Sequence, residues 1–391
     1  MTLNWAGEMN DLRDMFLLNP GVIFLNHGSF GATPRPVFEE YQRWQRELER
    51  QPVEFLGRRL PDLLSQARGK LAAYLGVCTD EVVFFPNPTT AINMVARNLE
   101  LERGDEILTT NHEYGAMDRT WLYICNQTGA RYVREKVELP IREKADVIEA
   151  FWRGLSDRTR VVFISHITSS TGLRFPVEQI CRRARQEGLL TIVDGAHAPG
   201  QIDLNLEEIG ADFYTGACHK WLCAPKGSAF LYARREVQPM LDPLVVSWGY
   251  ESEKPSGSQF IDYHEWQGTR DLSAYLSVPA AIEFQANHAW DIAREACRTL
   301  ASQTRERIHA LTGLEPICPD RPNWFAQMFS APLPKEIDVD ELKSRLYEEY
   351  CIEVPVFKWE EQPMIRVSVQ AYNRPSDLDD LVTALSELLS N

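Results

Sequence analysis

Short apolar runs punctuate the chain at 82–85, 107–108, 161–164, 190–193 and 229–232. Each is brief, β-branched or aromatic, and not alternated with polar residues, which is the pattern of a strand buried on both faces. Between several of them the stretches 89–100, 116–127, 143–154 and 177–187 read as helices. Ahead of them, Leu60, Leu63, Leu64, Ala67, Leu71, Tyr74 and Leu75 recur at helical spacing and predict a helix over 57–75. Alternating β and α elements predict an α/β fold with a mainly parallel sheet covered on both sides. Strand-like runs at 323–330, 351–357 and 364–369, with helical patterns at 337–349 and 376–390, predict a smaller α/β unit at the C-terminal end. A chain of 391 residues exceeds one ordinary domain. The expected organisation is an irregular N-terminal segment over 1–30 near the site, a large domain over 31–284 and a small domain over 285–391.

In such sheets ligands bind beyond the carboxyl ends of the strands. Asn87, Thr89 and Thr90 follow the first run, 166–170 follows the third, and Asp194 follows the fourth. These polar clusters are expected to converge on one edge of the sheet. Asn87-Pro88-Thr89-Thr90 also opens a helix, where free N–H groups and the positive dipole end suit a phosphate, with helix capping as the competing reading.

Lys220 stands among apolar and small residues in Thr215-Gly216-Ala217-Cys218-His219-Lys220-Trp221-Leu222. A lysine so held can form a Schiff base with an aldehyde, and Asp194, after a buried strand, can hold a protonated ring nitrogen. Together they point to pyridoxal 5'-phosphate (PLP). The net charge of −15 disfavours nucleic acid as a partner. No apolar run reaches 18 residues, so no membrane span is expected, and the acidic N-terminus does not read as a signal peptide. The eight cysteines form no Cys-x-x-Cys and no zinc-like cluster, so no metal is expected and reduced thiols in a cytoplasmic protein are.

Three stretches carry a resemblance. Phe24-Leu25-Asn26-His27-Gly28-Ser29-Phe30-Gly31, Asp194-Gly195-Ala196-His197 and His219-Lys220-Trp221-Leu222 with Pro225-Lys226-Gly227 resemble the class V aminotransferase group of fold-type I PLP enzymes, in its isopenicillin-N-epimerase-like branch. The resemblance implies a large domain, a smaller C-terminal domain and an enzyme acting at the α-carbon of an amino-acid-like small molecule. Lys220 would be the Schiff-base lysine and α-proton base, and Asp194 the partner of the ring nitrogen. His197 would lie near the ring oxygen, with a structural histidine as the alternative. His219 would contact the phosphate, while Ala217 stands where many relatives carry a hydroxyl. Tyr114 would stack on the ring, with His112 the runner-up, and is a candidate second catalytic group. Ser169, an Asn in desulfurase-like relatives, would contact the ring hydroxyl oxygen. Gly268 and Thr269 resemble the segment that reaches the phosphate of a neighbouring subunit, which implies a homodimer with shared active sites. Arg366 resembles the arginine that grips the substrate carboxylate, as its bidentate fork suits it to do. Asn26 and His27 would line the same pocket, and the loop 247–258 would help shape it.

Epimerisation and elimination of a sulfur leaving group both remain open, with transamination as the alternative. A cysteine desulfurase needs a nucleophilic cysteine on a loop before the carboxylate-binding arginine. Cys351 instead heads a strand-like run, which disfavours that reading. A non-catalytic PLP-binding protein fits poorly with Lys220, Asp194 and Arg366 all present.

Overall fold

The computed structural model describes residues 12–390. Among the described residues twelve strands follow in chain order: β1 (Ile23–Phe24), β2 (Val82–Phe85), β3 (Glu106–Thr110), β4 (Arg131–Glu135), β5 (Thr159–Ser165), β6 (Leu190–Asp194), β7 (Phe213–Ala217), β8 (Ala229–Ala233), β9 (Met328–Pro332), β10 (Ile352–Glu353), β11 (Val356–Trp359) and β12 (Gln362–Ser368). Seven of them form the main sheet in the order β2-β8-β7-β6-β5-β3-β4. β8 runs antiparallel to both its neighbours, and the remaining pairs are parallel. Six strands therefore share one direction, and their carboxyl ends share one edge.

The unalternated apolar runs are explained by two cores. Val82, Phe84, Val162, Ile164 and Val193 face one core, while Val83, Phe85, Val161, Phe163 and Ile192 face the other. Successive side chains of a strand point to opposite faces, so a strand covered on both sides has to be apolar at every position. The helices Pro88–Arg97 and Gly115–Thr128 supply the second core with Ile92, Val95, Met117 and Trp121.

Some elements differ from the sequence expectation for identifiable reasons. β4 escapes the pattern because it lies at one edge of the sheet and, unlike β2 at the other edge, is only partly buried. β7 is fully buried, yet Thr215, Gly216 and Ala217 are small and carry little strand signal. The helix Arg35–Arg50 buries only Val37 and Leu48. The strand expected from 323 starts at Met328, because Arg321–Trp324 form a turn in which Trp324 N–H donates to the Arg321 carbonyl. The run 351–357 is split into β10 and β11 around Pro355, which has no N–H to donate.

A three-stranded antiparallel sheet, β11-β12-β9, packs with the helices Trp290–Thr312, Val339–Tyr350 and Pro375–Leu389. The N-terminal segment is tied to this region: β1 pairs in parallel with β10, and Asn26 bridges to Ser368 at the end of β12. The one-turn helix His27–Phe30 follows and ends at Gly31, whose φ is +72°. A Cβ at Gly31 would lie 1.9 Å from the His219 carbonyl oxygen, so this chain passes directly against the lysine turn. Residues from the two ends of the sequence thereby meet at the carboxyl edge of the main sheet.

Candidate active site

That edge opens onto a pocket of about 180 Å³. Asn87 and Thr89 follow β2, Tyr114 follows β3, and Ser165 ends β5 with Ser169 beyond it. Asp194 ends β6 with His197 beyond it, and His219 and Lys220 follow β7. Ser29 and Phe30 close the wall from the N-terminal segment.

The turn carrying Lys220 is held from below. The His219 N–H donates to the Ser228 carbonyl at 3.2 Å, and the Cys223 N–H to the Lys220 carbonyl at 2.9 Å. His27 Nε2 lies 3.0 Å from the Lys220 carbonyl, which can only accept, so Nε2 carries the proton. Its Nδ1 then accepts from the Tyr372 hydroxyl at 3.1 Å. Burial holds the His27 ring neutral, down to about 3. Gln285 Nε2 donates to the Trp221 carbonyl at 2.8 Å, and Trp221 is fully buried.

Lys220 Nζ lies 3.2 Å from His197 Nε2. The polarity of this contact follows from the other side of the ring. Trp221 Nε1 can only donate, and it lies 3.3 Å from His197 Nδ1, so Nδ1 is the acceptor and Nε2 carries the hydrogen. Burial, followed by the charge of Lys220, keeps that imidazole neutral by holding its pKa well below the usual value. A donor at Nε2 meets a lone pair on Nζ only in the unprotonated amine, so this contact favours loss of the Lys220 proton. Burial and then the charge of Arg366 lower the Lys220 amine to about 8, against the pull of Asp194.

Asp194 is 5% exposed and accepts one backbone N–H, from Ala196 at 2.9 Å. Burial raises its pKa. A carboxylate buried with so little compensation is suited to a cationic partner. At the other side, Asn87 caps the helix Pro88–Arg97, its Oδ1 accepting from the Thr90 N–H at 2.8 Å and the Thr90 hydroxyl at 3.0 Å. Thr90 is thus committed to capping and does not line the pocket. Thr89 does, with a first-turn amide and a hydroxyl. His219 Nδ1 donates to the Ser228 carbonyl at 2.9 Å, leaving Nε2 free of that bond. Burial lowers His219 to about 4, and an incoming phosphate dianion supplies the field that favours a proton there.

Arg366 lies on β12 and is 7% exposed. Nη1 donates to the Ser169 carbonyl at 2.7 Å and lies 3.3 Å from its hydroxyl, and Nη2 donates to Ser29 Oγ at 2.8 Å. Nε has no partner among the described residues. The guanidinium is thus bonded to neutral acceptors alone, and burial lowers it to about 10. A buried cation without a counter-ion favours an anion at the site.

Several expected residues lie elsewhere. His27 is fully buried beneath Lys220 and positions its backbone, so it does not line the pocket. Asn26 accepts from the Ser29 hydroxyl at 2.5 Å and donates to Glu353 at 3.0 Å, which places it one bond behind the wall. His112 bonds the Val137 carbonyl and Thr171 and packs edge-on to Phe175, away from the pocket. Gly268 and Thr269 lie after the helix Gln259–Glu265 and do not line the pocket of their own chain. Part of the loop 247–258 instead lines a separate groove with Leu60, Leu64 and Arg68. Cys351 caps the helix Val339–Tyr350 and is not in the pocket wall. The hydroxyls of Ser29 and Ser165 also line the pocket, and nothing in the sequence says which serine faces inward.

Comparison with known proteins decides the family. The Aminotransferase class-V family model matches residues 31–381. The chain belongs to the class-V aminotransferase family. It is 40% identical over 397 residues to isopenicillin N epimerase of Amycolatopsis lactamdurans, covering 98% of both chains. It is 36% identical to isopenicillin N epimerase of Streptomyces clavuligerus, covering 98% of this chain and 99% of that protein. A probable chloroplastic L-cysteine desulfhydrase of Arabidopsis thaliana is 29% identical over 95% of this chain and 84% of its own. Among solved structures, a cysteine desulfurase of Thermococcus onnurineus superposes with a TM-score of 0.83 at 20% identity, covering 97% of this chain and 98% of that one. The cystine C-S lyase C-DES, in complex with cysteine persulfide, superposes with a TM-score of 0.81 at 21% identity, over 94% and 98%. Membership makes the protein a PLP-dependent enzyme acting on an amino-acid substrate.

The pocket fits that cofactor. It offers a primary amine of lowered pKa at Lys220, an under-compensated buried carboxyl at Asp194 and an amide and hydroxyl at Thr89 for a phosphate. The poise of Lys220 is testable in the cofactor-free protein. PLP uptake is expected to accelerate as pH rises to about 8 and to level off above it, because only the neutral amine adds to an aldehyde. The Lys220→Ala variant is expected to lose the lysine-dependent visible absorbance. Stopped-flow absorbance reads both, and a rate that is flat from about pH 6 to about pH 9 would contradict the assignment of Lys220.

Proposed function

We propose that this protein epimerises an amino-acid-derived carboxylate at its α-carbon. The observation that carries the reading is the Lys220 amine, held 3.2 Å from a hydrogen-bearing His197 nitrogen, in a pocket whose wall residues Ser29 and Ser169 are bonded from behind by Arg366, which has no counter-ion among the described residues. When bound, PLP supplies an electron sink for negative charge at the substrate α-carbon. Asp194 favours a protonated ring nitrogen at its end of the pocket, and Thr89 with His219 receives the phosphate. Arg366, braced by Ser29 and Ser169, binds the substrate carboxylate and so fixes which face of the α-carbon meets Lys220. Lys220 would take the α-proton as general base. Tyr114, 47% exposed on the pocket wall, is the candidate for returning a proton on the opposite face. The similarity to two isopenicillin N epimerases supports this reaction over the others.

Elimination of a sulfur leaving group is the second reading, supported by the similarity to an L-cysteine desulfhydrase. It needs Lys220 but no second proton donor. A cysteine desulfurase is disfavoured because no cysteine lines the pocket. The two readings separate in deuterated water with a panel of amino acids and amino-acid-derived carboxylates. Epimerisation predicts α-deuterium in both stereoisomers, and Tyr114→Phe is expected to slow stereoinversion about a hundredfold while leaving exchange with retention. Release of sulfide and ammonia without inversion would select the lyase. Replacing Arg366 by Gln is expected to raise KM for carboxylate substrates at least about tenfold with cofactor affinity unchanged, and an unaltered KM would take Arg366 out of the site.

The proposal extends to a homodimer. Val246 and Trp248 are 68% and 86% exposed, in a stretch that also exposes Leu244, Val245 and Tyr250, an apolar surface suited to a second copy. Gly268 and Thr269, which do not line their own pocket, are proposed to reach the phosphate bound by that copy. Light scattering is expected to give twice the chain mass, and Trp248→Glu to lower both the mass and cofactor affinity. A monomer with full cofactor affinity would end the shared-site reading. A cytoplasmic location belongs to the same proposal, supported by eight unpaired cysteines. No described helix is long and apolar enough to cross a membrane.

A further inference from the structure

A second buried carboxyl lies behind the pocket and has no part in the roles above. Glu113, in the turn after β3, is 5% exposed. Thr110 donates its hydroxyl to Oε1 at 2.7 Å, and its own oxygen accepts the His112 N–H at 3.2 Å. Oε2 lies 2.6 Å from Ser165 Oγ, its remaining partner. Ser165 lines the pocket and is the register partner of Asp194 across the parallel pair β5–β6. Glu113 thus bonds the hydroxyl of the serine that stands beside Asp194 in the sheet register.

No cation compensates Glu113 among the described residues. The charged groups acting on it are Asp194 on β6 and Asp118 on the helix Gly115–Thr128, both acidic. Tyr132 on β4 approaches from the sheet edge, with its hydroxyl donated to Asp118 at 2.9 Å. Burial pushes the Glu113 carboxyl up to about 8, against the pull of the Ser165 and Thr110 hydroxyls, and the two acids add to the rise.

We propose that Glu113 is a positioning residue held as a neutral carboxylic acid, whose Oε2 proton is donated to Ser165 and turns the Ser165 hydroxyl proton into the pocket beside Asp194. The protonation state decides what Ser165 shows. With Glu113 ionised, Ser165 spends its proton on Oε2 and presents a lone pair to the pocket. With Glu113 neutral, Ser165 presents a donor, and Asp194 keeps its negative charge without a second anion one residue away. A negative charge at Asp194 disfavours a second one at Glu113. The protonation of Glu113 rests on its burial without a cation, whereas its consequence for the cofactor rests on the reading that Asp194 holds the ring nitrogen.

Three measurements test it. The infrared difference between cofactor-free wild type and Glu113→Gln at neutral pH is expected to show the carbonyl stretch of a protonated carboxyl, lost in the variant. Carboxylate bands in its place would overturn the proposal. A carboxyl raised in the folded state contributes stability that is fully present below its unfolded value and is lost as pH rises through about 8. The melting temperature of Glu113→Gln minus that of wild type is therefore expected to increase between about pH 5 and about pH 9, and a flat difference would count against a neutral Glu113. The glutamine amide donates to Ser165 as the acid does. Glu113→Gln is therefore expected to keep PLP affinity within about twofold, while Glu113→Ala loosens it about tenfold or more. Equal loss in both variants, or unchanged affinity in Glu113→Ala, would overturn the positioning role. Asp194→Ala, read by cofactor affinity and absorbance, tests the ring-nitrogen reading separately.

Discussion

The hydrogen bond from the Trp221 indole to His197 sets the chemistry of the whole pocket. An indole nitrogen donates and never accepts, so it dictates which imidazole nitrogen carries the hydrogen. That hydrogen meets Lys220 Nζ and favours its lone pair over its charge. The residue after the lysine thereby controls the lysine through a histidine from another strand end. The arrangement holds only because Trp221 is immobilised in the core, and it is the apolar setting of the turn that immobilises it.

The electrostatics around the pocket follow one rule: buried charges are left with gaps that a ligand can fill. Arg366 bonds two serines and a carbonyl but no carboxylate. Asp194 takes one backbone N–H. Lys220 is surrounded by neutral rings and another cation, and burial lowers its amine. Each gap weakens the resting protein, because a buried charge without a partner is costly. Each also gives an anionic or cationic ligand group a place where its charge is compensated more strongly than in water. Glu113 is the exception, a carboxyl supplied with hydroxyl partners on both oxygens.

Much of this was legible in the linear pattern, for physical reasons. Strands buried on both faces have to be apolar at every position, so β2, β5, β6 and β8 announce themselves. Polar residues directly after such runs have to lie at a strand end, which is why Asn87, Ser169 and Asp194 were found at one edge. The reasoning was weaker where a residue has two satisfying outcomes. Thr90 could face a ligand or its own helix cap, and the geometry of Asn87 chose the cap. His27 could line a pocket or support a backbone, and its bonds to Tyr372 and the Lys220 carbonyl chose support. Edge strand β4 and small-residue strand β7 were missed because local pattern reports burial and side-chain size, and they lack one or the other.

The α/β alternation, the buried strands and the local settings of Lys220 and Asp194 depend on neighbours a few residues away, so they are written in the linear pattern. The polarity of the His197–Lys220 contact, the absence of a counter-ion at Arg366 among the described residues and the pairing of Glu113 with Ser165 arise from folding alone. Those properties depend on which atoms meet across strands and segments far apart in the chain, such as Ser29 against Arg366. Periodicity carries no information about such encounters, since a hydroxyl facing a guanidinium and one facing water read alike in sequence. Lys220 is recognisable as a reactive lysine from its neighbours, but the lowered pKa of its amine is a product of the folded pocket.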